Sequence, residues 1–207
     1  MARVTAEKVQ ATRAGLLEAA HAVLRTEGYA GLSTRGVAAA AGAPMSQIQY
    51  HFGSKEGMIL ALFEQINGQL LERQNAMFTD PNLTLSEKWD LACDYLDDDL
   101  ASGYVRVLQE LLAAGWSNTE IGRVVRDGIM QWIKLLTRLA RKVQDTYGLL
   151  GQFTPEGIAA LVSASFIGAE ALLLLGIEDQ GVPIRRSLRQ FGDVIRRLEE
   201  QGNQGRE

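Results

Sequence analysis

Apolar positions recur at three- and four-residue intervals almost from the start of the chain, the spacing of one face of an α-helix. From about Thr5 to Glu27 the pattern runs through Val9, Leu16, Ala20, Val23 and Leu24. Gly28, which accepts a left-handed C-cap at no steric cost, marks its end. Ser33 is placed to cap a second helix, TRGVAAAA, with Leu32 and Val37 at the spacing of a hydrophobic staple, and Gly42 closes it. Pro44 suits the first turn of a third helix, where its missing N–H is not needed. That helix ends near Phe52 and Gly53, and a longer one starts at Ser54 or Lys55 and continues to about Phe78.

Beyond Asp80 and Pro81 the helical signals repeat. Thr84 and Glu87 have the spacing of a capping box before KWDLACDYLDDDLA, and Ser117 and Glu120 have it again before IGRVVRDGIMQWIKLLTRLARKVQDTYG. In the latter, Val125, Ile129, Trp132, Leu136, Leu139, Val143 and Tyr147 trace one apolar stripe. Thr154 and Pro155 supply an N-cap and first turn for a strongly apolar helix, and Pro183 begins a last one ending near Gln201. No run alternates long enough for a sheet and no repeat is visible, so the expected class is all-α. The segment Ile158 to Gly176 is nearly long enough to span a bilayer. Glu170 would sit inside such a span at a cost of about 2.5–3.5 kcal/mol, and Glu156 and Glu178 flank it without a basic anchor. The expectation is therefore a soluble helix covered on every side, with no membrane partner.

Composition changes this picture in one respect. The 207 residues, 46% of them hydrophobic, suffice for a real core, and a net charge of -4 with a pI near 5.3 does not suggest a nucleic-acid binder. Residues 1–57 nevertheless carry Arg3, Lys8, Arg13, Arg25, Arg35 and Lys55 against Glu7, Glu18, Glu27 and Glu56, so the acidic excess lies wholly in the remainder. Only the N-terminal quarter is charged for phosphate. The N-terminus is polar where a signal peptide would be apolar, and the single Cys93 rules out an internal disulfide; both fit a cytoplasmic location.

The stretch GAPMSQIQYHFGSKEG, Gly42 to Gly57, holds a short helix between two glycine-bearing breaks. Helix, glycine turn, helix is the outline of a DNA-reading helix-turn-helix, although a small helical hairpin that merely caps a core has the same outline. Ile48, with Met45 and Phe52 a turn to either side, can pack back onto Val37 and Ala41, leaving Ser46, Gln47, Gln49, Tyr50 and His51 facing outward. Glutamine can bond adenine bidentately, serine can donate or accept, and Arg35 could reach guanine O6 and N7. Tyr50, His51, Thr34 and Lys55 are better placed for phosphate, with Lys55 beside the positive end of its helix.

These residues resemble the TetR (tetracycline repressor) family of bacterial regulators. The likeness rests on LSTRGVAAAAG, the short helix after it, and QYHFGSKEGMILALF, and covers roughly Thr5 to Phe63. It implies that Thr34, Tyr50, His51 and Lys55 hold the DNA backbone, while Arg35, Met45, Ser46 and Gln47, behind Pro44, read bases or line the groove. The family usually has tyrosine where this chain has Gln49. The resemblance further implies an N-terminal three-helix DNA-binding domain over residues 1–53 and a larger helical ligand-binding and dimerisation domain over 54–207. By analogy, helices between about Thr84 and Tyr147 would enclose a cavity, and the last two helices would pair with a second subunit.

The C-terminal residues themselves speak to both points. Ala159, Ala160, Ser163, Ala164 and Gly168 are small enough for close helix approach, and Leu161, Phe166 and Leu172 supply apolar area. Ala160, Ala164, Phe166, Gly168 and Leu172 are thus the expected dimer contacts. Trp89, Tyr95, Tyr104, Gln109, Trp116, Trp132, Phe166 and Glu170 mix aromatic walls with a few polar groups, as a ligand site would, although aromatics at helical spacing also fill plain cores. Catalysis finds no support. His21 and His51 lie far apart without a ligand-spaced partner, consecutive Asp97, Asp98 and Asp99 cannot share a helix face and are expected on a solvated surface, and no phosphate loop or nucleophile elbow occurs. The expected function is a homodimeric regulator that binds a palindromic operator in double-stranded DNA, most simply a repressor released by a small-molecule effector, and no cofactor or metal is called for. A non-regulatory nucleoid protein and a helical small-molecule carrier are the alternatives.

Overall fold

The computed structural model describes residues 2–148 and 151–204, and every regular element among them is helical. The order is α1 (Ala2–Gly31), α2 (Thr34–Ala40), α3 (Ser46–Phe52), α4 (Lys55–Thr79), α5 (Leu85–Ser102), α6 (Tyr104–Gly115), α7 (Thr119–Tyr147), α8 (Pro155–Leu174), a 3-10 turn (Glu178–Gln180) and α9 (Ile184–Gln204). Local chemistry sets most of these bounds. The Ser33 hydroxyl accepts from Gly36 N at 3.0 Å and caps α2, and Thr154 Oγ1 does the same for Gly157 N at the start of α8. The Thr84 and Glu87 capping box forms in both directions: Thr84 N donates to Glu87 Oε2 at 2.7 Å, and Glu87 N donates to Thr84 Oγ1 at 3.2 Å.

Three expectations are corrected. α1 leaves helical geometry at Gly28, yet helical structure resumes to Gly31. The cap of α7 is Asn118, whose Oδ1 accepts from Glu120 N and Ile121 N, and not Ser117, whose hydroxyl donates back to Ala114 O in the final turn of α6. A separate α6, which the apolar pattern alone did not divide from α5, exists because Gly103 breaks the chain at φ 86, where any larger side chain would also meet Arg25 at 2.8 Å.

The chain's contacts group it into two units, residues 1–68 with 102–126 and residues 69–101 with 127–207. This grouping differs from the division after Gly53, because α1 packs against α6 as well as against α2 and α3. In the first unit Leu16, Leu24, Val37, Ile48, Phe63 and Val105 are each at most 2% exposed and form the core. In the second, Met77, Phe78, Leu135, Leu136 and Ala159 are buried together, and the α7 stripe supplies much of this packing. The start of α5 is held by α9: the buried Glu199 carboxylate accepts from Leu85 N at 2.6 Å and Ser86 N at 3.0 Å, an anion set against a helix N-terminus. Asp97 and Asp99 do not lie idle on a solvated face. Asp97 pairs with Arg185 at 2.6 Å, and both Asp99 oxygens accept from Arg73 Nη2 at 2.7 Å.

Candidate nucleic-acid interface and ligand cavity

In the first unit the short helix α3 is positioned by one residue. Ile48 is the buried residue of α3, 2% exposed, and Ala43 N donates to Ala38 O across the turn that Gly42, at φ 61, makes possible. With Ile48 held inward, Ser46, Gln49 and Tyr50 (70% exposed) face solvent, and Gln47 and His51 are half-buried. Met45, counted with Ile48 on the inward face, is instead 54% exposed beside Pro44, which is exposed too. It therefore belongs to the presented surface. Arg35 is exposed and Thr34 half-buried at the start of α2.

Two of the phosphate candidates carry structural duties as well. The His51 ring packs edge-on to Tyr50 at 4.9 Å, and its Nε2 is buried without a partner in the protein. Lys55 Nζ donates to Tyr29 O at 3.3 Å and lies 4.8 Å from the centre of the Tyr29 ring. An ammonium has three donors, so this bond leaves two for phosphate. Glu110 of α6 accepts from Tyr29 N and pairs with Arg106 at 3.2 Å, which ties the end of α1 to α6.

The second unit holds a cavity of about 310 Å³, at the lower end of ligand-site volumes. Its walls come from α4, α5, α7, α8 and α9, with Phe153. Trp89, Trp132 and Phe166, three of the aromatic candidates, meet there: the Phe166 ring lies 5.5 Å from Trp89 and 6.2 Å from Trp132, each edge to face. Phe166 is only 6% exposed, so it belongs to the cavity and not to the outer face on which dimer contacts were expected. The other five candidates stand elsewhere. Tyr104, Gln109 and Trp116 belong to the first unit, where the Tyr104 hydroxyl donates to Asn67 Oδ1 at 2.9 Å and Trp116 is 86% exposed. Tyr95 lies under Arg73, 4.1 Å from guanidinium to ring centre, and Glu170 does not line the wall.

Sequence reasoning missed two polar residues of the wall, Gln74 and Lys88. Trp89 Nε1 donates to Leu188 O at 2.7 Å, whereas Trp132 Nε1 and Gln74 Oε1 are buried with no partner in the protein. A buried polar group left unpaired costs about 1–3 kcal/mol. Lys88, 5% exposed, donates from Nζ to Asp80 O and Leu83 O, each at 2.7 Å, and burial pulls its ammonium below the usual lysine range, helped by Lys142 and opposed by Asp80, Glu199 and Glu87. Gln74 and Lys88 carry no sequence signature beyond lying in helices. Burial likewise pushes the Cys93 thiol up to about 11, so it is a core residue and not a reactive one. Among the described residues no cluster of three metal-binding side chains occurs.

α8 is long and apolar enough to cross a membrane by length and composition. It is not covered on every side within the chain. Ala159, Val162 and Phe166 face the cavity, while Leu161 (54% exposed), Leu172 (42%) and Leu175 (74%) lie exposed with Ala160, Ala164 and Gly168. α9 adds Phe191 (50%), Val194 (46%) and Leu198 (38%). Phe191 and Leu198 line the cavity as well.

Residues 16–62 match the family described as bacterial regulatory proteins, tetR family. The HTH-type transcriptional regulator CymR of Pseudomonas putida is 34% identical over 103 residues, which cover 48% of this chain and 51% of CymR, so that likeness spans about half of each protein. Two solved structures share the fold over most of the chain. A TetR-family transcriptional regulator from Pectobacterium atrosepticum has a TM-score of 0.64 at 22% identity, covering 94% of each chain. GusR of Salmonella enterica has a TM-score of 0.70 at 19% identity, covering 89% of this chain and 94% of its own.

Proposed function

We propose that this chain, a member of the tetR family of bacterial regulatory proteins, is a cytoplasmic transcriptional regulator that binds a palindromic operator as a homodimer, represses, and is released by a small, mainly apolar effector. The observation that carries the reading is α3, anchored by a single buried Ile48 and presenting Ser46, Gln49 and Tyr50 outward behind a glycine turn. That is how a recognition helix is mounted: one side fixed in a core, the other free for base edges, with phosphate donors at its flanks. The 48–52 and 55 region then supplies backbone contacts through Tyr50 and Lys55, and Arg35, Ser46 and Gln47 supply base contacts. The exposed apolar faces of α8 and α9 support the dimer. Leu161, Leu172 and Leu175 at α8 and Phe191, Val194 and Leu198 on α9 are exposed, and large apolar side chains gathered at the surface of a soluble protein mark interaction sites. A two-fold dimer would present two α3 helices to half-sites about 34–36 Å apart.

Effector binding in the cavity would favour a conformation in which those helices no longer match that spacing. By linkage, an effector that weakens operator binding must itself bind the operator-bound dimer more weakly by the same factor. DNase footprinting of the intergenic DNA beside the protein's own gene tests the proposal. The expected result is one short protected palindrome. Uniform coating would make it a nucleoid protein, and absence of protection with retained ligand binding would make it a carrier.

A further inference from the structure

The reading of the cavity as an effector site leaves the effector's chemistry open, and the wall narrows it. Rings from Phe78, Trp89, Trp132, Phe166 and Phe191 surround the space, and such a set has two uses. It can receive a flat apolar body, or it can cage a cation against its π faces. Charge separates them. Among the described residues no aspartate or glutamate lines the cavity, and the one ionisable lining residue is Lys88, whose ammonium is fixed on two backbone carbonyls with no carboxylate in ion-pair contact. A cationic ligand would meet the like charge of Lys88, and the carboxylates that act on that ammonium, Asp80, Glu87 and Glu199, are not among the lining residues, with Glu199 already held on Leu85 N and Ser86 N.

Two of the lining residues carry polar atoms buried without a partner, and these point the same way. The two lining tryptophans differ: Trp89 spends its N–H on Leu188 O, while Trp132 Nε1 is buried and unpaired. Indole is a donor only, so Trp132 asks for an acceptor. Gln74, 7% exposed, has its Oε1 unpaired as well, and a half-turn of its amide exchanges oxygen for NH2, so it can serve an acceptor or a donor. We propose that the cavity selects a flat, mainly apolar molecule whose polar end is an oxygen acceptor without positive charge, a hydroxyl or a carboxylate, held by the Trp132 N–H and the Gln74 amide. This rests on the effector-responsive reading given above.

The test is isothermal titration of the full-length protein with four probes on one ring system: 2-naphthol, 2-naphthoate, 2-methylnaphthalene and trimethyl(2-naphthyl)ammonium. The oxygen-bearing probes should bind, and the ammonium should bind at least about tenfold more weakly than 2-naphthol, the loss expected for an unneutralised charge. Trp132→Phe keeps the ring and removes the donor. It should weaken 2-naphthol by about two- to tenfold, the worth of one net hydrogen bond, and leave 2-methylnaphthalene within about twofold. Gln74→Leu, which removes the second polar group without touching the indole, should show the same selectivity. An ammonium probe that binds as well as 2-naphthol overturns the proposal. So does equal weakening of both neutral probes by Trp132→Phe and by Gln74→Leu, or failure of both oxygen-bearing probes to bind. Footprinting without any probe separates the two levels: a normal footprint with failed probes removes only this ligand class, whereas a lost footprint removes the regulator reading on which it stands.

Discussion

Replacing Ile48 by alanine should detach the reading helix without touching a DNA contact. α3 has seven residues, and its N-cap Met45 makes no side-chain hydrogen bond. Helices shorter than about 12–15 residues are marginal in water, so α3 exists only through tertiary packing, and Ile48 is the buried residue through which it packs. The substitution removes three carbon atoms from a site that is 2% exposed. At about 0.8 kcal/mol per buried methylene the transfer loss alone is about 2.4 kcal/mol, and the cavity left behind takes the total into the range of about 2–5 kcal/mol. Urea unfolding followed by circular dichroism should show a destabilisation of that size. Operator affinity, measured by fluorescence anisotropy, should fall by one to two orders of magnitude, since about 1.4 kcal/mol is a tenfold change and α3 must be ordered at a cost before it can bind. The neighbouring Gln49→Ala is the control. Gln49 is exposed, so its stability should stay within about 0.5 kcal/mol of wild type while operator affinity changes. An Ile48→Ala protein that is clearly destabilised yet binds the operator with full affinity would refute the assignment of α3 as the reading element.

Three further outcomes are expected. Lys55→Ala should weaken operator and random DNA alike and make the salt dependence shallower by about 1.8 in slope, the effect of two lost phosphate contacts, one per subunit of the proposed dimer, with a small stability loss because Lys55 also holds Tyr29 O. Burial holds the His21 imidazole below the 6.5 of a free histidine, with Arg25 acting in the same direction and a backbone bond at Ser102 opposing them. Folded His21 therefore stays neutral where the unfolded chain takes up a proton: its contribution is complete above pH 6.5 and is lost as pH falls from there toward the lowered value, and His21→Gln should flatten that limb of a urea-midpoint-against-pH curve. Leu172→Glu should turn a dimer into a monomer in light scattering and abolish the footprint at the same time, because a lone recognition helix reaches half a palindrome; a charged variant still dimeric and fully DNA-competent would place the subunit contact elsewhere.

What could be read from sequence divides along a physical line. Where a few adjacent residues settle an element, the reading survives: Ser33, Thr154 and the Thr84–Glu87 pair cap the helices they were assigned, because a cap is a bond across three residues. The Ser117–Glu120 pair had the same spelling and failed, since Asn118 competed for the same N–H groups while α6 still claimed Ser117. Cavity walls are settled by tertiary neighbours. Trp132 and Tyr104 looked alike as aromatics on apolar faces, yet one lines the cavity with its N–H unpaired and the other bonds Asn67 in a packed core. Gln74 and Lys88 gave no signal at all, because a polar residue in a helix reads as solvated until burial shows otherwise. α8 makes the sharpest case. Its nearly unbroken apolar run was read as a helix covered all round, and within one chain only the face toward Phe166 is covered. Hydrophobicity records that a surface leaves water without recording what replaces it. The inner face of α8 answers to a cavity of about 310 Å³, and the outer face of Leu161, Leu172 and Leu175 is left exposed by the described residues, which is where the proposed subunit contact falls.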